Sequence, residues 1–165
     1  MTSSLIDPET AARVGTVAAT ASGEVIRRDW QRWAAAVGDD NPLWFDPDYA
    51  RANGYRDTIC PPLYLQYAIL GVSPLEGLRP DGSSGAVSGS LAFPKAPRRM
   101  AGGESTTFHL PAYHRDEIEM VRTIESVVEK KGRSGRFVLV TWRTVYRNQH
   151  DELVAEASTS MIARP

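Results

Sequence analysis

The chain has 165 residues, 42% hydrophobic and 24% charged, which suits one domain burying roughly two thirds of its unfolded surface without metal or disulfide staples. Its 19 basic and 20 acidic residues leave a net charge of −1, so no overall positive field marks it for nucleic acid or an anionic membrane. The single cysteine, Cys60, excludes an internal disulfide and a cysteine zinc cluster, no apolar run approaches a membrane span, and the start MTSSLIDPET lacks a secretion signal. A single cytoplasmic domain over 1–165 is expected.

Residues 5–15 predict a short helix, with Asp7 as N-cap, Pro8 in the first turn and Gly15 as the stop. Thr16 to Ile26 suits a first strand. Arg27 to Val37 is helical, because Trp30, Trp33, Ala34 and Val37 fall at i, i+3, i+4 and i+7, and Gly38 ends it. A dense polar turn, Asp39-Asp40-Asn41-Pro42, comes next. Asp46-Pro47 caps a short helix through Ala52, and Gly54 stops it. Cys60 reads as a small semi-buried residue rather than a nucleophile. Pro61-Pro62 opens a third helix, LYLQYAIL, ending near Gly71. Leu63, Tyr67 and Leu70 share one face of it, and its scarcity of charge predicts burial. Residues 73–97 predict one long loop, of a length that is often functional.

From Gly103 the pattern turns to strands: Ser105 to Leu110, Ile118 to Val128, Phe137 to Tyr146 and Leu153 to Ile162. Lys130 to Gly135 and Asn148 to Asp151 supply the turns between the last three. In the second strand Ile118, Met120, Arg122 and Ile124 alternate with Glu117, Glu119, Val121 and Thr123. Helices followed by a four-strand antiparallel meander make an α+β layout. One sheet face must cover something apolar, and the 62–70 helix is the best candidate. A long antiparallel sheet wrapped around one buried helix is the hotdog architecture.

The stretch AAAVGDDNPLWFDPDYARANGY, followed by ICPP, resembles the MaoC-like hydratase/dehydratase family of hotdog enzymes, whose pattern reads GDxNPxHxDxxYA and then a helix start such as AHGM. PRRMAGGESTTFHLP, VVEKKGRSGRFVLV, YRNQHDELVAEA and a final IAR look like the N-terminal half of the double-hotdog acyl dehydratases, including type 2 hydroxyacyl-thioester dehydratases and mesaconyl-CoA hydratases. Together these stretches run from Ile26 to Arg164.

The resemblance implies addition of water to, or removal from, an enoyl thioester, with no cofactor beyond coenzyme A or an acyl carrier as part of the substrate. Such chemistry needs a base for water, an acid for the α-carbon and donors for the thioester oxygen. The family His is oriented by an Asp five residues earlier, and some donors are N–H groups at the helix start. On this sequence the Asp falls on Asp39 and the Asn on Asn41, but the His position holds Trp44. An indole cannot accept a proton from water. The helix-start glycine falls on Pro62, which has no N–H. His109, His114 and His150 offer no evident replacement.

In the double-hotdog enzymes the resemblance puts the working Asp and His on the C-terminal half, while the N-terminal half walls the acyl pocket. The expectation is therefore a non-catalytic subunit pairing with a catalytic hotdog chain. Two alternatives stay open: a self-sufficient homodimer using Asp39 and a histidine from elsewhere, and an acyl-thioester binding module without lyase activity. Asn41, Trp44, Pro61, Pro62, Tyr64, Gly102 and Gly103 are the candidate pocket residues, with Asp39 as the weak catalytic candidate. Arg98, Arg99 and Arg133 are candidates for coenzyme A phosphates, because guanidinium groups pair bidentately with phosphate; Lys130 and Lys131 read first as a solvated hairpin. Asp39 and Asn41 have an equally simple role in bracing the turn through backbone hydrogen bonds.

Overall fold

A computed structural model describes residues 4–70, 75–78, 80 and 91–165. Its helices begin and end where short-range chemistry dictates. Asp7 accepts from the Thr10 N–H at 2.8 Å and Pro8 follows, giving α1 (Pro8–Ala12). The stripe around Trp30 forms α2 (Arg27–Val37), which ends at Gly38 with φ +73°. The left-handed Gly38 lets the Asp39 N–H reach the Ala34 carbonyl at 2.9 Å, closing the helix end. Asp46 accepts from the N–H groups of Asp48 and Tyr49 and starts α3 (Pro47–Ala52). A 3-10 turn over Pro62–Tyr64 leads into α4 (Leu65–Leu70).

Five strands form one antiparallel sheet: β1 (Val17–Glu24), β2 (Arg98–Phe108), β3 (Glu117–Gly132), β4 (Gly135–Asn148) and β5 (Leu153–Arg164). Their order is β1-β3-β4-β5-β2. Only β3, β4 and β5 are a meander. The expected fourth member, β2, instead pairs with β5 at the far edge, and β1 takes the place beside β3. Strand β2 also starts seven residues before the expected Ser105, so Arg98, Arg99, Gly102 and Gly103 lie in a strand. The interruption that hid it is a bulge between Ala101 and Gly103, where glycine satisfies a φ of +144°. The expected 73–97 loop falls largely outside the described residues, apart from a 3-10 turn at Leu75–Gly77 and a segment whose Leu91, Phe93 and Ala96 are buried.

The inner face of the sheet carries two separate cores. One gathers Trp30, Ala34, Trp44, Tyr64, Leu65 and Ile69 against Ile118 and Ala155. The other packs Leu5, Leu91 and Phe93 on Ile124, Val138 and Val140. Helix α4 lies over β1 and the adjoining part of β3. Its seat is Gly23, where an added Cβ would lie 2.1 Å from the Ala68 carbonyl oxygen.

Two expected burials are reversed. Leu63, Tyr67 and Leu70 are 61%, 50% and 63% exposed, while Tyr64, Leu65 and Ile69 point inward. The helix covers one edge of the sheet rather than lying enclosed by it, and its 3-10 entry shifts the helical phase. Val37 is likewise exposed at the end of α2, although Trp30 and Ala34 are buried. Among the described residues no helix is long and apolar enough to cross a membrane.

Candidate functional site

Between α2 and α3 the polar turn is held by its own side chains. The Asn41 N–H donates to Asp39 Oδ1 at 3.3 Å, and the Leu43 N–H donates to Asn41 Oδ1 at 3.0 Å. Pro42–Trp44 then forms a 3-10 turn. The Trp44 carbonyl accepts from Trp30 Nε1 at 3.2 Å and Gln31 Nε2 at 3.1 Å, tying the turn to α2. The Trp44 ring is 7% exposed, inside the first core. Its Nε1 is buried without a hydrogen-bond partner among the described residues. The position that would hold an imidazole therefore holds a packed ring whose one polar atom is a donor.

The entry to α4 is pinned to this turn and to the sheet. The Ile59 N–H donates to the Leu43 carbonyl at 3.1 Å, and the Cys60 N–H to the Ala112 carbonyl at 2.8 Å. Burial pushes the Cys60 thiol well above its ordinary range, so it is not a thiolate nucleophile at neutral pH. Pro61 is buried and Pro62 exposed. Tyr64 is buried beneath a stack with Tyr67, and both rings tilt against Trp33. Burial raises the Tyr64 phenol.

Beside this entry lies a cleft of about 230 Å³, walled by Cys60, Pro61, Pro62, Leu65, His109 and Val154 among others. Of the sequence candidates it brings together Pro61 and Pro62; Asp39, Asn41, Trp44 and Tyr64 do not line it. Arg98, Arg99 and Arg133 sit elsewhere. Strand β2 has 11 residues, about 35 Å at roughly 3.3 Å per residue, with Phe108 at the cleft and Arg98 at the other end. Arg98 Nε donates to the Pro165 carbonyl at 2.7 Å and Arg99 Nη2 to the Leu91 carbonyl at 2.7 Å. Arg133 is exposed in the β3–β4 turn, at that same end of the sheet. At Gly102 a Cβ would lie 2.5 Å from Ser160 Oγ, so this glycine permits close approach of β5.

The histidines are dispersed. His109, just past the end of β2, has Nε2 3.5 Å from Glu156 Oε2. Arg143 also pairs with Glu156, and its hydrogen bond holds that carboxyl below the usual range. His114, in a turn, accepts at Nδ1 from the Arg27 N–H at 3.3 Å. His150 is exposed in the β4–β5 turn.

Two charged groups stand out that the motif did not mark. Asp116 is 6% exposed and accepts from the Tyr113 N–H at 2.7 Å, fixing the turn into β3. Arg122 lies on the inner sheet face. Its signal was available as a cation in register with Ile118, Met120 and Ile124. Among the described residues no group of three or more His, Cys, Asp or Glu is placed to hold a metal ion.

A five-stranded antiparallel sheet bearing its helices on one face, entered through a proline-led turn beside a polar loop, is the hotdog fold. Residues 12–157 match the family described as "FAS1-like, dehydratase domain region", and the chain belongs to it. It is 32% identical over 141 residues to a UPF0336 protein of Parafrankia sp., covering 86% of this chain and 84% of that one. It is 28% identical over 128 residues to a probable enoyl-CoA hydratase alpha subunit of Thermomonospora curvata, covering 76% of this chain and 40% of that one. A chain of the ChsH1-ChsH2 complex from Mycobacterium tuberculosis superposes with a TM-score of 0.72 at 20% identity, over 93% of this chain and 88% of that one.

Proposed function

We propose that this chain is the non-catalytic, pocket-forming subunit of a two-chain enoyl-thioester hydratase or dehydratase, acting as a single domain over 1–165. The observation that carries the reading is Trp44, a buried ring with no proton acceptor where the family motif has its base. Pro62 adds a second deficit, because it cannot donate an N–H to a developing oxyanion. Asp39 spends an oxygen on the Asn41 N–H, which suits a brace rather than an acid. The relatives support a subunit role: one is called an alpha subunit, and one solved neighbour is a chain of a two-protein complex.

Among the described residues the outer edge of β2 pairs with no other strand, and such an edge supplies the surface for pairing, since an unpaired strand edge is a template for another strand. Antiparallel pairing of two such edges would lay the Arg98 end of this chain beside the opposite end of its partner's strand. Arg98, Arg99 and Arg133 would then face the mouth of the partner's pocket, where coenzyme A phosphates or an acyl carrier would enter. That geometry accounts for their distance from this chain's own cleft. Asn41, Trp44, Tyr64, Pro61 and Pro62 would shape the acyl wall, and Gly102 and Gly103 the bend of the pairing edge.

The test is hydration of crotonyl-CoA by the purified chain, followed by absorbance of the enoyl thioester. No turnover above background is expected alone, and turnover is expected beside a hotdog chain with an intact Asp and His. Robust turnover by the chain alone, abolished by Asp39→Asn, overturns the reading and favours the self-sufficient homodimer. The His109–Glu156 contact at the cleft is where that alternative would seek its base, so His109→Ala is assayed in parallel. Acyl-CoA binding without turnover beside every such chain would instead favour a binding module.

A further inference from the structure

A second cleft, of about 260 Å³, opens between the segment leading into α4, the β2–β3 connection and the β4–β5 turn. It shares Leu110 and Pro111 with the cleft beside Pro61 and Pro62, so the two adjoin along one apolar wall. Its polar groups are held by their neighbours. The Arg56 guanidinium carbon lies 4.0 Å from the centre of the Tyr113 ring, and Nη2 donates to Asp116 Oδ1 at 3.4 Å. The Arg56 side chain is 66% exposed, and its other N–H groups have no hydrogen-bond partner among the described residues. A guanidinium held between an aromatic face and a carboxylate has lost freedom and kept its donors.

Asp116 is the deeper member of the pair, 6% exposed. Its Oδ2 accepts the Tyr113 N–H at 2.7 Å, whereas Oδ1 meets only Arg56 Nη2 and Gln149 Nε2, both at 3.4 Å. Those two contacts are longer than a good N–H···O bond, so this oxygen keeps capacity for a closer N–H donor. Gln149 is itself fixed, because its Oε1 accepts from the Glu117 N–H at 3.1 Å. The His150 imidazole aside, one guanidinium in the lining stands against two carboxylates, Asp116 and Glu152. A phosphate would meet net repulsion there, and an ammonium would meet Arg56. A neutral ligand carrying both donors and acceptors fits, and Leu110, Pro111 and Tyr113 give it an apolar wall. Secondary amides joined by methylenes have that chemistry. In a trans amide the C=O and N–H point in opposite directions, so a single amide cannot serve neighbouring Arg56 and Asp116, while two amides in one chain can.

We infer that this cleft binds the pantetheine arm of an acyl thioester. The amide nearer the sulfur donates its N–H to Asp116 Oδ1, the deeper group, and the carbonyl of the farther amide accepts from Arg56, the outer one. This rests on the acyl-pocket reading above: the acyl group takes the first cleft, and the arm that follows its sulfur crosses the Leu110–Pro111 wall into the second. The recognised group is the same whether coenzyme A or an acyl carrier bears it.

The test is calorimetric titration of the full chain with the octanoyl thioesters of N-acetylcysteamine, which keeps the nearer amide only, of pantetheine, which has both, and of coenzyme A, which adds phosphates. The pantetheine thioester is expected to bind at least about tenfold tighter than the N-acetylcysteamine one, the effect of one added hydrogen bond to a charged group. Arg56→Leu, at an exposed position, is expected to erase that advantage and leave the N-acetylcysteamine thioester unchanged. Asp116→Asn, similar in shape with a donor replacing an acceptor, is expected to weaken all the thioesters alike. Equal binding of the N-acetylcysteamine and pantetheine thioesters, an advantage that survives Arg56→Leu, or unchanged binding in Asp116→Asn overturns the assignment and leaves the acyl-pocket reading standing. An advantage of the coenzyme A thioester over the pantetheine one that Arg56→Leu removes puts a phosphate on Arg56 and overturns it likewise. Failure of every thioester to bind overturns the acyl-pocket reading as well.

Discussion

Replacing Gly23 with alanine tests how α4, and with it the entry to the cleft, is seated. The backbone at Gly23 needs no left-handed φ, so alanine carries no conformational penalty. Alone, that exchange would stabilise by about 0.4–1 kcal/mol by stiffening the unfolded chain. Packing works the other way. The new Cβ would lie 2.1 Å from the Ala68 carbonyl oxygen, 3.0 Å from its carbonyl carbon and 3.1 Å from Ile69 Cα. All three atoms are helix backbone, so no side chain can rotate aside; α4 itself must lift by more than an ångström. Overpacking of this kind costs about 1–3 kcal/mol, leaving a net loss of roughly 1–2 kcal/mol once the entropic gain is subtracted. At about 2–4 °C per kcal/mol for a domain of this size, Tm should fall by roughly 2–8 °C. Urea unfolding at fixed protein concentration should show a lower midpoint with an unchanged slope. Acyl-CoA binding should weaken too, because Pro61 and Pro62 move with the helix. An unchanged or higher midpoint would show that α4 does not rest on Gly23.

Two further substitutions probe the turn and the hairpin. Trp44→His restores the motif in sequence, yet it should destabilise by about 2–4 kcal/mol, since a large buried ring gives way to a smaller polar one; it should not confer crotonyl-CoA hydration on the chain alone, because Pro62 still lacks an N–H, and a hydration assay beside a melting curve reads both outcomes. Glu129 accepts from Arg136 and from the Leu5 N–H, which hold its carboxyl at about 2 against an ordinary 4.5. A depressed carboxyl stabilises fully above its unfolded value and loses that contribution as pH falls toward the folded one. Glu129→Gln should therefore lower Tm at pH 7 and show a shallower loss between about pH 4.5 and 2 than the parent chain, read by thermal melts across that range.

What could be read in the sequence was local chemistry. Asp7, Asp46 and Gly38 act within a few residues of themselves, and each cap stands where its residue type placed it. The strand pairing did not follow, because β2 and β5 meet across long separations, from Phe108 with Ala155 to Arg98 with Arg164, and no local pattern distinguishes that neighbour from β3. The Gly102-Gly103 bulge broke the alternation of β2, so Arg98 and Arg99 looked like loop. The inward face of the third helix was missed because a 3-10 turn at Pro62–Tyr64 precedes the α-helix and shifts its phase. Arg122 was visible as a cation in an apolar register. The groups that hold it, the Trp142 ring and Thr159 Oγ1, come beside it only in the folded sheet. The Trp44 substitution, by contrast, was legible as chemistry before any coordinates, because no environment gives indole a basic lone pair.

The hydrogen bonds around that tryptophan explain how the turn can keep its shape without a base. Position 44 is tied to α2 through its main-chain carbonyl, which accepts from Trp30 and Gln31. Asp39 and Asn41 each hold a backbone N–H two residues ahead. None of these bonds uses the side chain at 44. An imidazole could therefore be exchanged for an apolar ring without disturbing the turn, provided the ring packs, and Trp44 packs against the same core as Trp30 and Tyr64. The polar pair at 39 and 41 then has a structural reason to be present that is independent of proton transfer. Presence of the Asp and Asn in such a turn is thus weak evidence for catalysis, and the identity of residue 44 is strong evidence. On the proposed reading, a chain with this turn and a proline at the helix entry would supply the walls of a hydratase pocket and take its proton-transfer groups from another chain.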